Sequence, residues 1–209
     1  YWMHNGFINV DNHKMSKSLN NFFTVRDVAE RYGYEPIRYM MVSCQYRSPI
    51  NYSAEVIEQA KNSLERLYTC RDNIDFALKN AADGGEIPAF TEQRKQEFID
   101  AMEDDLNTAD ALAAVFMLVR DINTAIAAGA GKKALEAFAE VFDELTGVLG
   151  LVYNRRTETL DSEIEALIEK RTEARKNKDF KTADEIRDKL KEMGIILEDT
   201  PQGVKWTRS

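Results

Sequence analysis

The sequence predicts a mainly α protein: an antiparallel helical bundle, a short strand–loop–helix segment ahead of it, and a small α+β unit at the C-terminal end. Three observations carry this. Apolar residues recur at helical spacing in four long stretches between residues 53 and 149. Glycine- and proline-bearing breaks, "GGEIP" at 84–88 and "GAG" at 129–131, separate them and are short enough to favour antiparallel neighbours. Near the C-terminus the pattern changes to two short β-type runs flanking "TPQG".

The elements follow in order. "NGFINVDN", residues 5–12, reads as a short strand between turn signals. A lysine- and serine-rich loop comes next. Thr24 then opens "TVRDVAERYG", with Asp27 in capping-box position and Gly33 as the stop. A second helix is expected from Pro36 through "IRYMMVSCQY", because proline suits the first helical position.

The bundle starts with a long helix near Ser53, its stripe formed by Ile57, Ala60, Leu64, Leu67, Ile74 and Leu78. A helix from Thr91 carries Phe98, Ile99 and Met102. One from Thr108 presents Leu112, Val115, Phe116, Val119, Ile122 and Ile126. The fourth carries Leu135, Phe138, Val141, Phe142, Leu145 and Leu149, and Gly150 stops it. "YNRRTETLD" is a polar linker.

Ser162 begins a new unit, with Glu165 completing a capping box and Ile164, Leu167 and Ile168 as the apolar stripe. Asp179 caps a second helix bearing Ala183, Ile186, Leu190 and Met193, and Gly194 ends it. "IILED" and "VKW" form a terminal hairpin around "TPQG". The organisation expected is therefore 1–50, 51–155 and 160–209, the last small for an independent core.

With 44% hydrophobic and 31% charged residues the chain has a soluble globular composition, and no apolar run approaches the roughly 18 residues that span a bilayer. No signal-peptide pattern is present. The opening Tyr1-Trp2-Met3 is already apolar and reads as the start of a piece of a longer protein. Net charge is −8, which argues against a wholly basic nucleic-acid binder. The charge is unevenly placed, however. Residues 170–191 hold nine Lys or Arg against five Asp or Glu, whereas 83–110 hold nine acidic residues against two basic ones. Cys44 and Cys70 lack metal or redox spacing and read as reduced thiols in or near a core. His4 and His13 form no ligand pattern with them, so no metal site is expected.

The most informative stretch is Lys14-Met15-Ser16-Lys17-Ser18. Two ammonium groups three residues apart suit a departing pyrophosphate, where negative charge accumulates in the transition state. Lysine acts there as a mobile point charge. The serines can donate to phosphate oxygens or hold the loop, and the loop can close on a nucleotide and reopen. On its own, the stretch is either this or a solvated loop.

All five positions resemble the KMSKS signature of class I aminoacyl-tRNA synthetases. The flanks resemble the cysteinyl-tRNA synthetase family: "YWMHNGF" before it, "LNNFFTVRDV" and "IRYMMVSCQYRSPINYS" after it. The resemblance continues through "DDLNTADALAAVF", "ADEIRDKL" and "GIILEDTPQGVKW", and so covers essentially the whole chain. It implies that 1–50 is the end of a class I catalytic domain, with Lys14 and Lys17 catalytic and 14–18 ATP-binding. It implies an enzyme, a cytoplasmic monomer with cysteine, ATP and tRNA(Cys) as partners and no membrane. The family's histidine motif for ATP and its zinc site lie upstream of Tyr1 in family order. Zinc ligands are thus expected outside this chain, and the chain alone is expected not to activate cysteine. One departure is Asn20, where the family has glycine; asparagine is the side chain that best tolerates a left-handed backbone.

In "ARKNKDFKTADEIRDKL", Arg175, Lys176, Lys178 and Lys181 surround Phe180. Cations with an aromatic suit a single-stranded RNA loop, where the ring stacks on a splayed base. A charged helix with Phe180 in the core fits the same residues. The family resemblance implies anticodon recognition in this unit by Arg175, Phe180, Asp184 and Asp199. The alternatives are a tRNA-binding module without catalysis, or an inert helical scaffold. A relative that joins cysteine to an amino sugar shares the catalytic architecture, but the anticodon-type unit argues against it.

Overall fold

The computed structural model describes residues 2–19, 21–155, 162–200 and 203–208. Asn20 lies outside them, as do the Ser162 and Glu165 side chains on which the expected capping box rests. The chain divides into two units, Tyr1–Arg155 and Arg156–Ser209.

The first unit begins with a small sheet. Strand β1 (Ile8–Val10) pairs antiparallel with β2 (His13–Lys14) and parallel with β3 (Ile50–Tyr52), giving the order β2-β1-β3. Between β1 and β2, Asp11 and Asn12 have φ 49° and 64°. Two successive left-handed residues are what a tight two-residue hairpin requires, and Asp and Asn tolerate that backbone best. The turn is the one the sequence predicts, and the returning strand β2 is an addition to that expectation.

Helix α1 (Val25–Tyr32) starts at the Thr24–Asp27 capping box, with both reciprocal hydrogen bonds formed, and stops at Gly33 with φ 81°. Helix α2 spans Tyr34–Val42, starting before Pro36 and ending short of the expected Tyr46. The reason is that proline fits anywhere in a first turn whose N–H groups lack intrahelical partners. At the other end Ser43 Oγ turns back to the Met40 carbonyl at 2.8 Å.

Four helices then build the bundle: α3 (Ala54–Asn80), α4 (Phe90–Glu103), α5 (Thr108–Ala127) and α6 (Lys132–Leu149). Ser53 caps α3, its side chain accepting from the Val56 N–H. The expected stripes face inward. Ile57, Leu67, Ile74, Val115, Leu118, Ile122, Phe138 and Phe142 are fully buried, and Phe90 stacks on Phe138 with centroids 5.3 Å apart. The two glycine breaks meet: a Cβ on Gly131 would lie 2.5 Å from the Gly84 carbonyl oxygen, so only glycine fits. Glu35 is buried on α2, where its carboxylate accepts from the Tyr68 hydroxyl and the Val152 N–H. Arg71, also buried, donates to Asp75 and to Asp143 of α6.

The second unit holds α7 (Ser162–Lys176), α8 (Phe180–Glu192) and an antiparallel hairpin of β4 (Ile195–Thr200) and β5 (Gly203–Arg208). Asp179 caps α8 by accepting from the Thr182 N–H. Ile164, Leu190 and Ile195 form the centre, with Leu167, Ile168, Ile186, Leu197 and Trp206 packed around them. Met193 is the C-terminal cap residue and is exposed rather than on the inner stripe.

Candidate functional site: a lysine loop and a cationic cleft

The Asp11–Asn12 turn carries the chain from β1 into Lys14, which pairs in register with Asn9. Lys17 to Leu19 form a 3-10 turn. Asn21 closes the neck of the loop: its Oδ1 accepts from the Ser16 N–H at 2.9 Å, and its Nδ2 donates to the Lys14 carbonyl at 3.1 Å. Ser16 Oγ lies 3.1 Å from Ser18 Oγ and accepts from the Leu19 N–H. The hydroxyls therefore hold the loop, one of the two roles open to them in the sequence.

Lys14, Lys17 and Ser18 are exposed, while Met15 and Ser16 are half-buried. Lys17 Nζ stands 5.5 Å from the centroid of the Phe22 ring. Neither lysine has a carboxylate partner among the described residues. Two positive groups on a shaped loop, both facing water, are chemically suited to polyphosphate oxygens. Asn21, which the sequence reading did not single out, signals itself only as an amide close behind the motif.

In the second unit the α7–α8 corner turns through Lys178, at φ 61°. It leaves Phe180 at the start of α8 with 61% of its surface exposed. Phe180 is therefore not a core residue. Asp199 of β4 accepts from both terminal nitrogens of Arg171, each at 2.9 Å, and from Arg175. The Arg171 pair comes first in holding the Asp199 carboxyl down to about 2. Asp199 in turn is the main cause, with Asp184 the smallest, of the raised pKa of Arg171.

Arg171 is buried, and among the described residues its Nε has no hydrogen-bond partner. A cleft of about 290 Å³ opens between Arg171, Thr172, Arg175, Lys176, Asp199 and Val204. The structure thus brings Arg175 and Asp199 into contact. Asp184 stands exposed on α8, loosely paired with Arg187 at 3.6 Å. Arg171 was not singled out by the sequence reading. Its signal was an arginine in the i+7 position of the stripe Ile164, Leu167, Ile168.

Three family models match this chain in succession. Residues 1–62 match the class I (C) tRNA synthetase catalytic domain, 97–153 the DALR domain, and 157–206 the cysteinyl-tRNA ligase anticodon binding domain. Cysteine–tRNA ligase of Clostridioides difficile strain 630 is 47% identical over 214 residues, covering 100% of this chain and 46% of the relative. That of Halalkalibacterium halodurans is 48% identical over 212 residues, with the same coverage.

Over its whole length the chain matches part of the cysteine–tRNA ligases.

It spans 46% of the length of these relatives. In fold it is similar to LeuRS of Agrobacterium radiobacter K84, solved in a ternary complex with tRNA and LeuAMS. The TM-score is 0.54 at 17% identity, over 71% of this chain and 22% of that one. ATP use is a property the cysteine–tRNA ligase family implies, and the exposed lysines fit it. Zinc is a second group that the family resemblance implies. Among the described residues no group of His, Cys, Asp or Glu is placed to hold a metal ion. Cys70 is buried in the bundle with its thiol pushed up to about 12 by that burial. Among the described residues no helix is long and apolar enough to cross a membrane.

Proposed function

We propose that this chain supplies the phosphate-contacting loop and the anticodon-reading unit of a cysteine–tRNA ligase. The complete enzyme activates cysteine with ATP, releasing pyrophosphate, and then transfers cysteine to the terminal adenosine of tRNA(Cys). Lys17 is the principal contact to the departing phosphates and Lys14 assists, while Ser16 and Ser18 shape the loop. Arg175, Phe180, Asp184 and Asp199 are the anticodon-binding residues. The protein works as a monomer in the cytoplasm. The observation that carries this reading is the succession of catalytic-end and anticodon-binding matches along one chain, whose two loop lysines are exposed and have no carboxylate partner among the described residues.

The chemistry divides between the two units. Removal of a proton is not asked of the lysines: their ammonium charges meet charge that grows on the leaving oxygens. In the second unit, cations hold phosphate without choosing a sequence, and base edges are read by a few side chains. The deciding experiment measures binding of this chain to tRNA(Cys) and to an anticodon-swapped tRNA. Preference for tRNA(Cys) is expected, and equal or absent binding refutes the reading unit. No cysteine-dependent pyrophosphate exchange is expected from the chain alone, because one loop does not assemble the reactants.

Two substitutions sharpen this. Phe180→Ala should leave the thermal midpoint unchanged, since the ring is 61% exposed, and weaken tRNA binding by roughly 1–3 kcal/mol through lost stacking. A large drop in stability instead would assign the ring to packing. Lys178→Ala should weaken both tRNAs equally and flatten the salt dependence of binding.

A further inference from the structure

The lysine loop hangs from β1, and β1 is gripped by one short loop ahead of β3. The Gly6 N–H donates to the Tyr46 carbonyl at 2.7 Å, and the Ile50 N–H donates to the Phe7 carbonyl at 2.9 Å. A Cβ on Gly6 would lie 2.3 Å from the Ser48 carbonyl oxygen, so this approach requires glycine. Pairing then runs on into β1, with Ile8 opposite Ile50 and Val10 opposite Tyr52.

The far side of the same loop is held mainly by one residue of the bundle. The Tyr46 hydroxyl donates to Asp105 Oδ1 at 2.8 Å, and Arg47 pairs with Asp105 Oδ2. Gln45 Nε2 donates to the Asp105 carbonyl at 3.2 Å. Nearby, the Thr108 hydroxyl donates to the Cys44 carbonyl at 3.3 Å. Asp105 and Leu106 form the α4–α5 corner with φ 54° and 51°, two consecutive non-glycine residues in the left-handed region. Such a backbone persists only where its surroundings hold it, and here three successive residues of the gripping loop do so. Tyr46 therefore touches both ends: its side chain meets the bundle and its carbonyl meets the base of β1.

We propose that Asp105 is the positioning residue of the lysine loop, fixing β1, and through it Lys14 to Ser18, against the α4–α5 corner of the bundle. No other described carboxylate meets Tyr46 or Arg47, and Gln45 meets the backbone carbonyl of the same residue. The link gives the bundle a direct mechanical hold on the phosphate-contacting groups, and that functional consequence rests on the role proposed above for the loop.

The test uses the 209-residue chain and three variants, Asp105→Ala, Asp105→Asn and Tyr46→Phe. Asparagine tolerates the left-handed backbone as aspartate does. Asp105→Asn thus keeps the corner and an acceptor for Tyr46 while removing the charge that Arg47 meets. Hydrogen exchange at the Gly6 and Ile50 amides and along β1 and β2 should quicken about tenfold or more in Asp105→Ala. The rise should be smaller in Asp105→Asn and Tyr46→Phe, where protection of α3 and α5 stays at the wild-type level. Unchanged strand exchange in the two milder variants overturns the proposal, as does an equal rise in α3 and α5. Should Asp105→Ala fail to fold, the milder variants still decide it.

A second measurement separates this from the proposed function. In the full-length ligase containing this chain, Asp105→Asn should raise the KM for ATP in pyrophosphate exchange about tenfold, with tRNA affinity unchanged. Insensitivity of exchange to Lys17→Ala would remove the phosphate role of the loop, while the strand measurement still decides whether Asp105 positions it.

Discussion

Replacing Lys17 by alanine in the complete ligase is expected to slow cysteine activation by about 100- to 1000-fold, the roughly 2.7–4 kcal/mol typical of one lost transition-state contact. The geometry makes this a clean removal. The Lys17 side chain faces water above the Phe22 ring. The neck of the loop is held by Asn21 and its interior by the Ser16–Ser18 contact, neither of which involves Nζ. The substitution therefore takes away a charge and leaves the loop, so tRNA binding and folding stability should stay near the wild-type values. Lys14→Ala should be milder, because Lys14 belongs to β2 and is fixed by strand pairing further from the turn. Pyrophosphate exchange is the measurement. An unchanged rate for Lys17→Ala would show that the phosphates are met elsewhere.

Much of the fold is written in local rules that a single sequence displays. The Thr24–Asp27 capping box, the Ser53 cap and the Gly33 and Gly150 stops each concern neighbours a few residues apart. The bundle stripes follow from the helical period, and so do the buried Leu67, Ile74, Phe138 and Phe142. The lysine pair stands out by charge and spacing, but these fit a solvated loop as well as a phosphate-contacting one, and it is the resemblance to the KMSKS signature that points to phosphate.

What escaped depends on residues distant in sequence. Asp105 looks like one of several acids in "EDDLN", and only the fold sets it against Tyr46 and Arg47. Arg171 looks like one more charge in a basic segment. Its burial, and its hold on Asp199 across 28 positions, follow from how α7 packs on the hairpin. The Asp11–Asn12 turn was readable in principle, but a two-residue strand after it has too little pattern to announce itself.

Asp199 shows why that distance matters for experiment. Asp199→Ala is expected to destabilise the second unit by roughly 2–3 kcal/mol, apart from any change in tRNA recognition. Removing one partner of a fully buried ion pair costs about 3–5 kcal/mol, because the other charge stays behind unpaired. Here the Arg171 side chain is only 6% exposed, but that of Asp199 is 45% exposed, so water replaces part of the loss. The unit's core centres on Ile164, Leu190 and Ile195 and has little reserve. Asp184→Ala carries no such burden: its contact to Arg187 is 3.6 Å long and exposed. Loss of anticodon preference in Asp184→Ala therefore reports reading, whereas in Asp199→Ala it mixes reading with unfolding. Asp199→Asn keeps an acceptor for Arg171 and separates the two.

The pH dependence gives an independent check. The Asp199 carboxyl is lowered from its ordinary 3.8 to about 2, first by Arg171. The unfolded chain therefore takes up this proton before the folded one does. The stabilisation is complete above about pH 4 and is lost as pH falls through about 2. The urea-midpoint difference between wild type and Asp199→Asn should then hold steady from neutrality to about pH 4 and shrink below it. A difference that stays flat into acid, or an Asp199→Ala unit as stable as wild type, would show that Arg171 is held by something other than this carboxylate.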